Sequence, residues 1–327
     1  WADFHSFAAS WRFTNEEIFK SDTSILSDGK FRFGWGQTGN SNIGSYLWGS
    51  SISTMPTGLG PGYRQSNIAN PFIQWETQEQ WNFGLDLSFW NGRVNLVADA
   101  YDKTSNDMLM SLQLPSYMGT RGNASSALAS PMGNYGSINN RGLEISLNTK
   151  NLKGEFSWSS DFQISFNKNK LTALDGTASA HIEGYGQWSD VVTVTKVGEP
   201  LYNFYGYKII GVYKDLDDLQ NSPKAEKYPT NGVFNRSNTT WVGDLKYADL
   251  SGPDGVPDGI INTYDRTNIG SPMPTFTFGF NNTFNYKNFD LNIFLNGSYG
   301  NKVMNYASIN FSNMLTAWNN QMSVVND

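Results

Sequence analysis

The chain of 327 residues has no cysteine, which excludes a disulfide framework and thiol chemistry. Histidine is nearly as scarce: His5 and His181 lie far apart in sequence and supply no histidine-rich metal site, so each reads as a surface or packing residue. No apolar run approaches the ~18–20 residues that a membrane-spanning helix needs. Charged residues are only 16% of the chain, the net charge is −6, and no Lys/Arg-rich block occurs, which argues against nucleic-acid binding. Also missing are a nucleophile elbow, a P-loop and a zinc pattern. Glu183, Asp190 and Glu199, or Asp215, Asp217 and Asp218, offer carboxylates, but no spacing holds two of them ~5–10 Å apart as glycoside hydrolysis requires. The chain is not expected to be an enzyme.

What is abundant is strand and turn. Aromatics are 15% of the residues and glycines number 32, yet mean hydropathy is −0.46. The stretch GEFSWSSDFQISFNKN shows why: Phe156, Trp158, Phe162, Ile164 and Phe166 alternate with Ser157, Ser159, Asp161, Gln163, Ser165 and Asn167. Phe7–Phe13 and Trp81–Phe89 repeat the pattern, the period-2 signature of a strand with one apolar face.

Turns set the expected registers. Asn91-Gly92 pairs Trp90 with Arg93 and so places Phe89 opposite Val94, Leu87 opposite Leu96 and Phe83 opposite Ala100. Lys287-Asn288 places Tyr286 opposite Phe289 and Phe280 opposite Leu295, while a four-residue turn at Asn151–Gly154 places Leu147 opposite Trp158 and Leu143 opposite Phe162. In all three hairpins the apolar faces coincide.

The other connections are far longer: about 36 residues from Gln37 to Trp75, about 35 from Ser105 to Arg141 and about 100 from Lys168 to Thr275. Only the Thr14–Lys30 link on the short side departs, with a short helix expected at Asn15–Lys20. Strands of ten to thirteen residues exceed the ~5–6 usual in soluble sandwiches and match the ~9–11 needed to cross a bilayer at a tilt. Tight turns at one end, long loops at the other and about eight strands give an all-β reading: a transmembrane antiparallel β-barrel segment, aromatic outside and polar inside.

Particular stretches then point to a family. Gly36-Gln37-Thr38-Gly39-Asn40, Trp75-Glu76-Thr77 with Trp81–Asp86, Asn134–Glu144, Gly243-Asp244-Leu245-Lys246-Tyr247, Asp258–Arg266 and Gly270–Phe276 resemble, in order, motifs of SusC/RagA-type TonB-dependent outer-membrane transporters. The resemblance implies that residues 1–327 are part of one barrel domain, about eight of 22 strands. The plug, TonB box and last strands would lie outside the chain, which opens on Trp1 without a signal peptide and is expected to be a piece of something longer. It also implies multi-pass location in the outer membrane of a Gram-negative bacterium and active import of a bulky nutrient, an oligosaccharide first and a peptide second. Partners would be a SusD-like surface lipoprotein, the TonB complex and outer-membrane lipid, with transporter–lipoprotein pairs able to dimerise. A secreted soluble β-sandwich that binds or cleaves polysaccharide, and a passive porin, stand as alternatives.

Two sets of candidate site residues emerge. Asp254–Asp265 is similar to an EF-hand calcium loop, with Asp254, Asp258 and Asp265 at positions 1, 5 and 12, Gly259 at the sharp turn, the Ile260 carbonyl at position 7 and Asn262 at position 9. Val256 breaks the pattern at position 3, where Asp249 from upstream could replace the missing ligand of a structural Ca2+. The alternative is an acidic loop held by side-chain to backbone hydrogen bonds without an ion. The long loops also carry aromatics suited to stacking on sugars or burying against a partner, foremost Trp48, Trp188, Tyr205 and Trp241; their alternative role is to give a long loop its own small core.

Overall fold

A computed structural model of the chain describes all residues except 1, 23–24, 43, 113–116, 118–127, 175–180, 187–189, 226, 230–231, 235–238 and 312–327. Among the described residues sixteen strands follow in chain order. They are β1 (Ser6–Trp11), β2 (Leu26–Asn40), β3 (Ile52–Thr57), β4 (Gly60–Gln65), β5 (Glu76–Phe89), β6 (Val94–Ser111), β7 (Met132–Leu152) and β8 (Phe156–Ala173). Next come β9 (His181–Tyr185), β10 (Val191–Lys196), β11 (Asn203–Tyr207), β12 (Ile209–Val212), β13 (Leu245–Tyr247) and β14 (Arg266–Gly270), before β15 (Phe276–Tyr286) and β16 (Phe289–Tyr299). They fall into two compact units: Trp1–Ile182 with Thr195–Leu201 and Pro274–Gly300, and Glu183–Val194 with Tyr202–Met273 and Asn301–Asp327.

The first unit is built on one antiparallel sheet of eight strands, ordered β1-β2-β5-β6-β7-β8-β15-β16 and open at both edges. Its alternation sorts side chains by face: Phe33, Phe83, Ala100, Leu143, Phe166, Phe276 and Tyr299 lie on one cross-strand row of one face. The apolar face is uncovered, with Phe7 59%, Phe83 55% and Leu295 56% exposed, and rings meet edge-on or stacked along it, as Trp158 does with Phe284 at 5.8 Å. A soluble sandwich would cover that face with a second sheet. No helix among the described residues is long and apolar enough to cross a membrane.

Registers at Lys287-Asn288 and Asn91-Gly92 match those expected from the turns. The latter closes differently, though: Trp90, Asn91 and Gly92 all take positive φ, and the Arg93 amide reaches back to the Phe89 carbonyl, making a four-residue loop instead of a two-residue one. At the Asn151 turn the expectation fails by four residues. Leu147 faces Phe162 and Leu143 faces Phe166, because β7 runs on to Leu152 through a bulge at Asn151 whose Nδ2 donates to Ser160 Oγ at 2.8 Å. An even slip keeps the same face outward, so apolar pattern alone could not detect it.

The short link after β1 forms two 3-10 turns, Phe13–Asn15 and Glu17–Asp22, where a short helix was expected; Phe13 is buried over Gly29, which has no Cβ to obstruct the ring. The link after β2 carries its own hairpin, β3–β4. The second unit holds β11 and β14 and most of β9 and β10 of a four-stranded sheet, β14-β11-β10-β9, with the β12–β13 pair and a short helix, Leu216–Gln220, capped by Asp215. Its small core includes Tyr213, Leu219 and Ile261.

Candidate functional site

The polar face of the large sheet is a continuous wall of amides, hydroxyls and a few charges. Arg32 on β2 makes a bidentate pair with Asp86 on β5, 2.7–3.1 Å, and also reaches Asp99 on β6 at 2.9 Å. Gly84 permits this, since a Cβ there would meet the Arg32 guanidinium at 2.5 Å. Beside the triad a recess of about 740 Å³ is lined by Gln80, Asn82, Tyr101, Lys103, Asn140, Glu144 and Asn167, among others. The Tyr101 ring lies over Gly142, and its hydroxyl donates to Asn167 Oδ1 at 3.2 Å. A few fixed charges thus stand among many neutral donors and acceptors on this face.

The order of residues in Asn134–Glu144 has a physical reading on β7. Asn134 Nδ2 donates to the Gln74 and Asp107 carbonyls, tying the long loop before β5 and the far end of β6 to the start of β7. Asn139 donates to Asp102 Oδ1 and Thr104, and Arg141 Nε pairs with Asp102 Oδ2 at 2.7 Å. Glu76 likewise accepts from Asn40 and from the Leu109 amide, joining three strands at the long-loop end.

Of the aromatic candidates, Trp48 lies in the first unit and is 61% exposed, whereas Tyr205 and Trp241 lie in the second and are half-buried. Tyr205 sits on β11 opposite Asn268, and the Trp241 amide donates to Asp244 in a tight turn. Trp188 lies outside the described residues. Sequence reasoning passed over a cluster in the second unit: Tyr207 packs against Tyr247 at 5.3 Å with the Arg266 guanidinium over its ring. Lys246 pairs with Asp218 at 2.6 Å, and that lysine above all, with the Lys214 amide, holds the Asp218 carboxyl below its ordinary range.

In the acidic loop the carboxylates face backbone donors. Asp265 is fully buried, accepting from the amides of Leu250, Ser251 and Asn262; burial pushes its carboxyl up, but those donors and the contact with Asp249 outweigh it and hold it below the usual range. Asp249 accepts from Gly259 and Asp258 from Ile260, while Asn262 caps the turn at Tyr264. Asp254 sits in an exposed turn. Among the described residues no three acidic or imidazole side chains gather closely enough to hold an ion, so in this arrangement the carboxylates organise backbone.

The family model for the TonB dependent receptor-like β-barrel matches residues 1–203. The chain belongs to the TonB-dependent receptor β-barrel family. Curated relatives include TonB-dependent receptor P3 of Formosa agariphila, 32% identical over 97% of this chain and 31% of the relative. TonB-dependent receptor SusC of Bacteroides thetaiotaomicron is 29% identical over 93% of this chain and 28% of its own length. The chain thus spans about a third of these receptors. The fold is similar to the RagAB peptide transporter, with a TM-score of 0.67 at 23% identity over 91% of this chain and 29% of that one. The eight-stranded sheet is therefore an arc of a transmembrane barrel, its aromatic face toward lipid and its polar face toward the lumen, and the sandwich reading is set aside.

Proposed function

We propose that this segment forms part of the wall and the extracellular surface of an outer-membrane active importer for a bulky nutrient, an oligosaccharide in the first instance. The observation that carries this reading is the division of the sheet into a largely aromatic lipid face and a lumen face dominated by neutral amides and hydroxyls. Such a lumen suits a large uncharged solute better than an ion. On this reading the complete receptor has 22 strands and a plug, is energised by the TonB complex, is capped by a SusD-like lipoprotein and can dimerise with a second such pair. The loops between β2 and β5, β6 and β7, and β8 and β15 capture the ligand outside the cell, and no covalent chemistry is involved.

The test is uptake of labelled oligosaccharides by cells carrying or lacking the complete receptor, with and without TonB. TonB-dependent accumulation of glycan supports the reading. Accumulation without TonB would indicate a passive pore, and TonB-dependent uptake of peptides alone would reassign the substrate class.

A further inference from the structure

On the lipid face just beyond Leu143 and Phe166, toward the long loops, Arg141 on β7 stands directly opposite Lys168 on β8. Like charges directly opposite one another destabilise a strand pair unless something anionic sits between them. The nearby carboxylate serves one of the two: Asp102 pairs through Oδ2 with Arg141 and accepts at Oδ1 from Asn139. Lys170, two residues along β8 on the same face, adds a third cation, and among the described residues neither lysine has an ion-pair partner. The polar face shows the opposite economy, with Arg32 held by two carboxylates. The Arg141 side chain is 71% exposed.

We propose that Arg141, Lys168 and Lys170 bind the phosphate of an anionic lipid headgroup at the outer rim of the hydrocarbon band. The position fits the ligand: Leu143 and Phe166, 40% and 36% exposed, offer an apolar floor for acyl chains one step below the cations. A guanidinium beside an ammonium matches phosphate oxygens in both geometry and charge. The assignment of this rim to the outer leaflet rests on the membrane orientation in the proposed function.

The test uses the complete receptor in detergent, with native mass spectrometry against a bis-phosphorylated glycolipid and its dephosphorylated form. Wild type should retain the phosphorylated lipid preferentially. The triple variant Arg141→Gln/Lys168→Gln/Lys170→Gln should lose at least about tenfold in retention, given roughly fivefold per basic residue at an anionic surface; the single Lys168→Gln, in case the triple misfolds, should lose about fivefold. Lys287→Gln at the tight-turn end should change nothing. Equal retention of both lipids, retention by the folded variants within twofold of wild type, or displacement by millimolar inorganic phosphate as readily as by lipid overturns the proposal. Lys168→Cys, labelled on intact cells with an impermeant maleimide, separates the two readings. Labelling without lipid selectivity sinks the lipid site alone, while labelling only in permeabilised cells sinks the orientation and the site with it.

Discussion

Asp265 Oδ1 lies 2.7 Å from the Leu250 amide nitrogen, so a carboxylate at the end of the acidic loop clasps the chain fifteen residues earlier. Replacing Asp265 with Ala removes this bond and those to Ser251 and Asn262 and leaves three part-buried donors without their acceptor, at a cost of about 1–3 kcal/mol to local stability. Hydrogen exchange should show the amides of Leu250, Ser251 and Asn262 losing protection while β5–β8 keep theirs. Calcium should leave wild-type protection unchanged; a calcium-dependent gain, lost again in Asp249→Asn and Asp258→Asn, would establish the ion site instead.

The same clasp sets a pH dependence. Because the folded Asp265 carboxyl titrates below its unfolded range of about 3.9, its stabilisation is complete above that pH and is lost as pH falls through the lower folded value. Loop protection, corrected for intrinsic exchange rates, should therefore be flat from pH 7 to 5 and decline only under stronger acid. A decline centred near pH 6 would contradict the geometry.

Neighbouring residues on β8 should respond in opposite ways to charge. Phe162→Arg places a cation on the lipid face, at roughly 2–4 kcal/mol near midplane, whereas exposed Gln163→Arg on the lumen face should stay within about 0.5 kcal/mol. Urea titration of the complete receptor folded into vesicles measures both. Equal penalties would mean that the two faces are not divided between oil and water.

Gly142 and Tyr101 should behave as one unit. Gly142→Ala thrusts a methyl into the Tyr101 ring, at about 1–3 kcal/mol, and Tyr101→Ala added to it should recover most of that loss. Additive losses in the same titration would show that the ring does not rest on the glycine.

Much of the barrel arc was legible because its rules are local. Period two fixed the faces, and the turns at Asn91-Gly92 and Lys287-Asn288 fixed registers that the strands keep. Asn151 marks the limit: a longer turn and the one residue taken up by the bulge shift the pairing by a net four, an even number that leaves no trace in the apolar pattern. The loop aromatics were less legible still, since whether Tyr205 or Tyr207 lies in a sheet or a surface depends on strands far away in sequence, such as β14 and β13. The acidic loop had the right residues at nearly the right spacing for an ion, but spacing does not say whether a carboxylate meets a cation or a peptide amide.

Among the described residues β1 pairs with β2 alone and β16 with β15 alone, so the ribbon has two bare selvedges of peptide groups. In oil there is no water to occupy them, and each unmet group costs several kcal/mol. Whatever knits onto those selvedges therefore decides when the ribbon can rest in a bilayer. Completion of the circumference, more than consolidation of any interior, is what satisfies its backbone in oil.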